Sequence, residues 1–176
     1  MDEGKGSPRR AELLDAAYGY VVEHGLAGLS LRPLAKATAT SPRVLLYLFG
    51  SKDDLVRELL ARAREEQLVL LATLDGHPYD EVVERLWAWL SDPEQRGTIQ
   101  LFFEAYGRSI GPEPGPWDGF AEASVREWLD VLEAAQPGVP DARVKATATL
   151  ALLRGLLLDL LTGADPARLT AALRTG

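Results

Sequence analysis

The sequence contains no cysteine, and only two of its 176 residues are histidine. The absence of cysteine excludes disulfides and thiolate metal ligands, and it suits a reducing compartment. The longest apolar segment, residues 144–161, is interrupted by Lys145, Arg154 and Asp159, so it falls short of the roughly 20 apolar residues that cross a bilayer. The first residues also lack the apolar region of a signal peptide. We therefore expect a cytoplasmic protein with no membrane partner.

Groups suited to catalysis are scarce. His24 and His77 each stand beside a glycine, and no His, Asp or Glu cluster has the spacing of a metal site. The glycines are scattered and form no phosphate-binding loop. The sequence therefore predicts no catalytic residue, no metal and no cofactor, and we do not expect an enzyme.

Apolar residues at helical spacing are abundant. They make up 47% of the chain, and no segment shows the alternating pattern of a strand. Residues 79–90, for example, carry a stripe at i, i+3 and i+4. The sequence predicts an all-α protein. Predicted helices after the first 50 residues lie at about 52–74, 79–90, 99–110, 117–135, 141–161 and 167–173.

The charge is unevenly distributed. The net charge is −7, yet residues 1–57 contain eight basic and seven acidic side chains. The acidic excess therefore falls on the rest of the chain, which phosphate would repel. This distribution favours contact with a polyanion through the N-terminal segment only, with modest non-specific affinity.

Two short helices separated by a turn are predicted between Ser30 and Lys52. Ser30 and Ser41 are candidate N-caps, and Pro42 follows Ser41 at the first helical position. Gly50 ends the second helix. This spacing is typical of a helix-turn-helix DNA reader. The second helix is expected to turn Leu45, Leu46 and Phe49 inward.

The flanking segments show similar signals. Ser7 and Pro8 begin a helix that ends at Gly25. Ser51 and Asp54 form a pair resembling a capping box at the start of a long helix. The three helices before residue 50 are predicted to form a small bundle.

At these residues the chain resembles the TetR family of transcriptional regulators, over roughly its first third. It departs from the family pattern at Ala39, where glycine is usual, at Leu46, where tyrosine is usual, and at Leu48, where histidine is frequent. The matching residues are Arg10, Leu13, Leu14, Ala16, Ala17, Glu23–Gly25, Leu29–Ala35 and Ser41–Leu55.

The resemblance implies a DNA-binding head, residues 1–50, and a helical regulatory and dimerisation body, residues 51–176. The protein would be a repressor that binds a double-stranded, pseudo-palindromic operator as a homodimer. Arg43, at the start of the recognition helix, could pair bidentately with guanine, and Lys52, at a helix N-terminus, could meet phosphate. The predicted DNA contacts are Arg32, Ser41, Pro42, Arg43, Val44, Tyr47 and Lys52.

The body is expected to hold a small apolar or amphipathic effector and to form the subunit interface. For both sets of residues the alternative is ordinary core packing. The predicted pocket residues are Trp87, Phe102, Phe103, Tyr106 and Phe120. The predicted interface residues, on two antiparallel helices, are Trp117, Ser124, Trp128, Leu150, Leu153, Leu157 and Leu161.

A second interpretation remains open. A helical interaction protein whose head no longer binds DNA would also fit the near-neutral head and the departures at Ala39 and Leu48. The salt dependence of DNA affinity distinguishes the two, because only phosphate contacts give a steep dependence.

Overall fold

The computed structural model describes residues 8–175, and within them the secondary structure consists of α-helices and two short 3-10 turns, with no strand. The prediction of an all-α fold is confirmed. None of the described helices is long and apolar enough to span a membrane. The helices are α1 Pro8–His24, α2 Leu31–Ala37, α3 Pro42–Phe49, α4 Lys52–Ala72, α5 Tyr79–Leu90, α6 Arg96–Ser109, α7 Phe120–Ala134, α8 Ala142–Leu161 and α9 Pro166–Leu173. The 3-10 turns are Pro93–Gln95 and Gly115–Trp117.

The chain divides into two compact units. The first contains the described residues up to Glu66 together with Gln100–Ala121, and the second contains Gln67–Ile99 and the described residues from Glu122 onward. The predicted boundary after residue 50 separates a DNA-binding head from a regulatory body by their functions, and it stays a prediction. By packing, however, the N-terminal helices belong with part of α4 and part of α6.

The core of the first unit forms around α1, which contributes Leu13, Ala17 and Val21 with 0–1% of their surface exposed. The same cluster includes Leu101 and Ala105 of α6. It also takes in Leu34, Leu45, Phe49, Leu55, Leu59 and Trp117. Burial of these side chains, at about 1.5–3 kcal/mol each, is the main force that holds the short helices α2 and α3 in place.

The second unit is a helical body in which α5, α7, α8 and α9 supply most of the buried residues, joined by Leu71 of α4 and Ile99 of α6. Its ties include a hydrogen bond of 2.8 Å from Trp87 Nε1 to Thr170 Oγ1. Arg96 Nη2 donates to the Leu161 carbonyl at 2.8 Å, which satisfies one of the orphan acceptors at the end of α8. The most buried large side chains are Val82, Leu86, Leu132, Leu153 and Leu169.

Three predicted helix boundaries are wrong. The helix predicted over 99–110 begins at Arg96, directly after the 3-10 turn Pro93–Gln95. The helix predicted over 117–135 begins at Phe120, because Gly119 has a positive φ of 73° and Trp117 belongs to a separate 3-10 turn. The fourth helix ends at Ala72 rather than 74, and Gly76, with φ 76°, lies in the turn that follows.

Candidate nucleic-acid interface

The turn between α2 and α3 is closed by backbone hydrogen bonds. The Thr40 N–H donates to the Ala35 carbonyl at 2.8 Å, and the Ala39 N–H donates to the Lys36 carbonyl at 3.3 Å. These are the paired bonds of a Schellman motif, which requires a left-handed residue at the position of Ala39. Ala39 has φ 49° accordingly. The geometry of a helix-turn-helix is thus kept, although the turn holds alanine instead of glycine.

The start of α3 is fixed by its cap. Ser41 has extended dihedral angles, and its hydroxyl accepts a hydrogen bond from the Val44 N–H at 3.3 Å. Pro42 occupies the first helical position, where a missing N–H costs little. The prediction that Ser41 caps α3 and that Pro42 begins it is confirmed. Ser30 precedes α2 in the predicted position, but its side chain makes no capping hydrogen bond.

One face of α3 packs into the first unit and the other is open. Leu45 and Phe49 are buried, at 1% and 5% exposure. Leu46, predicted to face inward, is 41% exposed, because the inward stripe of a helix this short contains only residues four apart. Arg43 is exposed, and Tyr47, one turn later on the same face, is 81% exposed.

The other predicted DNA contacts are exposed or half-buried, and their contact with DNA stays a prediction. Ser41, Val44 and Lys52 are exposed, and Pro42 is half-buried. Arg32, on α2, is exposed as well. Within the described residues, no ion pair or hydrogen bond involves the side chains of Arg32, Lys36, Arg43 and Lys52, so these cations remain available to a partner.

The backbone at Ser51 is not free for phosphate. Its N–H donates to the Phe49 carbonyl, and its hydroxyl forms a reciprocal pair with Asp54: Ser51 Oγ donates to the Asp54 carboxylate at 2.6 Å and accepts from the Asp54 N–H at 3.0 Å. The hydroxyl, with help from Arg57, lowers the pKa of Asp54. Since the pKa is lower in the folded chain, this pair stabilises α4 at neutral pH, and the contribution is lost as the pH falls through the lowered pKa.

Arg10 proves to be a structural residue. Its guanidinium donates to the Leu48 carbonyl at 3.3 Å, pairs with the Glu58 carboxylate, and lies 5.1 Å from the centre of the Phe49 ring. These contacts join α1 to α3 and α4. Arg10 therefore positions α3 against α1 and α4. Sequence could not have revealed it, because Glu58 and Leu48 are about 40 to 50 residues away along the chain.

A carboxylate from α6 holds the loop after α1. Glu104 Oε2 accepts a hydrogen bond of 2.8 Å from the Leu26 N–H. Gly25 beside it has φ 79°, and a Cβ atom there would lie only 3.2 Å from the same oxygen. Glycine is thus needed both for the backbone conformation that ends α1 and for space beside Glu104.

The five aromatic residues of the predicted pocket are not gathered in one place. Trp87 is buried in the second unit. The other four belong to the first unit, where Phe102 is 5.3 Å from Phe103 and 5.9 Å from both Tyr106 and Phe120, measured between ring centres. These distances and angles are those of ordinary aromatic packing. None of the five borders the large cavity in the second unit described below.

The predicted interface residues are mostly covered by their own chain. Leu161 is half-buried, whereas Trp117, in the core of the first unit, is 9% exposed. Ser124, Trp128, Leu150, Leu153 and Leu157 are 1–5% exposed. Six of the seven side chains therefore have little surface left for a partner.

The sequence comparisons agree with this geometry. The sequence profile of the family described as "Bacterial regulatory proteins, tetR family" matches residues 13–59, which include α2, the turn and α3. A solved structure of a TetR family member from Streptomyces coelicolor is 26% identical, with a TM-score of 0.70, and covers 96% of this chain and 98% of that one. The helix-turn-helix segment of this chain, within residues 13–59, is therefore that of the tetR family.

Two curated relatives match the N-terminal part. The transcriptional repressor AcnR of Corynebacterium efficiens is 32% identical over 95 residues, which are 54% of this chain and 47% of AcnR. The transcriptional regulator EthR of Mycobacterium tuberculosis is 29% identical over 102 residues, 58% of this chain and 44% of EthR. The matched segment thus spans less than half of each relative. Both are named as regulators and neither as an enzyme, in keeping with the expectation from the sequence.

The left-handed conformation of Ala39 strains the turn between α2 and α3. We expect Ala39→Gly to raise the free energy of unfolding by up to about 1 kcal/mol, because the left-handed conformation costs alanine roughly 1–2 kcal/mol while glycine loses about 0.5–1 kcal/mol in chain entropy. Urea denaturation measures the change. The matched control is Ala37→Gly at the end of α2, which should destabilise. A loss of stability in Ala39→Gly would contradict the strain assigned to this turn.

Proposed function

We propose that this protein is a homodimeric transcriptional repressor that reads a pseudo-palindromic operator with α3 and is released from it by a small-molecule effector. The observation that carries the proposal is the open face of α3, where Arg43, Val44 and Tyr47 are exposed above a buried Leu45 and Phe49. A short helix whose inner side is locked into a bundle, and whose outer side carries an unpaired arginine and a tyrosine, fits the major groove.

The proposed role of each side chain follows from its position on α2, α3 or α4. Arg43 lies at the start of α3, where a recognition helix reaches base edges, and its guanidinium suits guanine O6 and N7. Val44 would meet a thymine methyl group. Tyr47 and Lys52 would hold phosphates on either side, while Arg32 would contact DNA from α2. Pro42 and Ser41 fix the direction of the helix.

The test is selection of duplexes from a random library with the purified protein, followed by affinity measurements over a range of salt concentrations. A dimeric reader should select two inverted half-sites about 34 Å apart, or one helical turn. The logarithm of affinity should fall linearly with the logarithm of salt concentration. Absence of any enriched sequence together with a flat salt dependence would favour the interaction protein with a degenerate head.

The outer face of α8 is the proposed subunit interface. Small or apolar residues recur there every 3.5 residues on average, and all of them are exposed: Val144, Ala148, Ala151, Gly155 and Leu158. A repeat of 3.5 residues is the spacing of helix pairs that pack side by side. Val144 is 68% and Leu158 48% exposed. By contrast, the outer face of α7 carries charged residues, including Glu122, Arg126 and Asp130. A second copy of α8 is therefore the occupant that fits this stripe.

We expect Ala151→Glu to convert the dimer to a monomer, because the two-fold axis would bring two like charges into an apolar contact. Sedimentation velocity measures the change, and operator affinity should fall with it. The control is Ala88→Glu, an exposed alanine of α5. If Ala151→Glu sedimented as wild type does, the α8 stripe would not be the interface.

A further inference from the structure

A concavity in the second unit suggests which chemical class of effector the protein takes. It has a volume of about 750 Å³ and is formed by the end of α4, the α4–α5 loop and the C-terminal half of α7. This volume lies within the range of small-molecule sites, roughly 300–1,000 Å³. The lining residues are Leu68, Leu71, Ala72, Leu74, Asp75, Gly76, His77, Pro78, Glu127, Asp130, Val131, Ala134, Ala135 and Pro137.

The lining combines apolar walls with acidic groups. Its leucine, valine, alanine and proline side chains offer contact area to a hydrophobic body. Its charged groups are Asp75, Glu127 and Asp130, and no lysine or arginine is among the lining residues. An anion placed there would meet like charge over a low-dielectric surface, whereas a cation would meet opposite charge.

The neighbouring charges leave an excess of negative charge around the cavity. Arg143 Nη1 lies 2.7 Å from Asp130 Oδ1 and 2.8 Å from Glu133 Oε2, so one cation serves two carboxylates. His77 Nδ1 lies 3.4 Å from Glu81 Oε1. Asp75 is exposed and has no ion pair within the described residues, so its carboxylate has no cation of its own to offset it.

We propose that this cavity binds a hydrophobic organic cation, with its apolar body against Leu71, Leu74 and Val131 and its positive charge towards Asp75. The cavity would then be the effector site, a step that rests on the proposed regulatory function. The binding itself does not, because it can be measured without DNA.

A matched pair of ions tests the charge preference. Tetraphenylphosphonium and tetraphenylborate have nearly the same size and shape but opposite charge, and triphenylphosphine oxide provides a neutral aromatic probe. In calorimetric titrations in a sodium buffer, we expect one saturable site per chain that binds the phosphonium at least about 10-fold more tightly than the borate. Equal binding of the two ions, or tighter binding of the borate or of the neutral probe, would overturn the proposal.

Variants locate the site. Asp75→Asn should weaken phosphonium binding by about 3- to 10-fold, and Ala134→Trp, which fills the cavity from an exposed wall position, should remove binding of all probes. Glu94→Gln, which neutralises an exposed carboxylate outside the cavity, is the control and should bind as wild type does. Circular dichroism confirms that each variant is folded. Phosphonium binding unchanged by Ala134→Trp would place it elsewhere and contradict the proposal.

Different results would contradict the cation site and the proposed regulatory function. If the phosphonium binds in the cavity but leaves operator affinity unchanged, the cation site stands and its role as effector site fails. If no DNA sequence is selected at all, the calorimetric result still decides whether the cavity takes a cation.

Discussion

Replacing Arg43 by alanine is expected to reduce operator affinity by about 2–6 kcal/mol, since a bidentate arginine–guanine pair contributes about 1–3 kcal/mol of discrimination and a dimer would lose two such pairs. The effect should be large because Arg43 is exposed and has no ion pair in the described residues, so its guanidinium is fully available to a base. Stability should change little. Fluorescence anisotropy with the selected duplex and with a scrambled duplex measures both affinity and specificity.

Arg43→Lys separates the two ways in which this residue could act. Lysine keeps the charge but cannot form the planar, bidentate contact. We expect it to retain non-specific binding and most of the salt dependence while losing preference for the selected sequence. Arg126→Ala, which removes an exposed arginine of α7, is the control for net charge. If Arg43→Lys kept wild-type specificity, Arg43 would be a phosphate contact and the base-reading role would be wrong.

Replacing Arg10 by alanine is expected to destabilise the first unit by about 1–3 kcal/mol, because the Leu48 carbonyl and the Glu58 carboxylate would lose a charged donor. The side chains of Arg10 and Glu58 are 18% and 30% exposed, so water would partly replace the lost contacts and the upper end of that range is a limit. The lost stacking on Phe49 accounts for about 0.5–1 kcal/mol of this total. Urea denaturation followed by circular dichroism measures the change.

The neighbouring arginine provides the control. Arg9 pairs with Glu12 at 3.3 Å, with side-chain exposures of 57% and 65%, so Arg9→Ala should cost less than about 0.5 kcal/mol. A double-mutant cycle of Arg10→Ala with Glu58→Ala should show coupling between the two residues. If Arg10→Ala left stability unchanged and lowered the salt dependence of DNA binding by about one phosphate contact, Arg10 would be a DNA contact and the structural role would be wrong.

The local signals in the sequence predicted the motif well. Ser41 and Pro42 specify the start of α3 by a cap and a fixed φ, and both act within four residues of each other. The pair Ser51 and Asp54 does the same for α4. Such short-range chemistry is nearly independent of the rest of the fold, so it can be read from the chain alone.

Contacts between distant segments could not be predicted in this way. A helical stripe tells which side of a helix is buried but not which segment covers it. The predicted pocket therefore groups Trp87 with Phe102, although the two pack in different units. The same reasoning placed Leu150 and Leu153 at a subunit interface, whereas they are buried within their own chain. The exposed stripe of α8 was hidden because alanine and glycine at 148, 151 and 155 give a weak apolar signal.

The packing of Leu101, Ala105 and Trp117 with α1 determines which residues a chimaeric regulator must include. A transplant of residues 1–50 onto a foreign body would leave behind three apolar side chains that complete the core around α1, and with them the Glu104 carboxylate that holds the Leu26 amide. The transferable module is therefore discontinuous in sequence. Random mutagenesis screened for loss of operator recognition should yield hits near residue 104 and residue 117, far along the chain from α3, the proposed recognition helix.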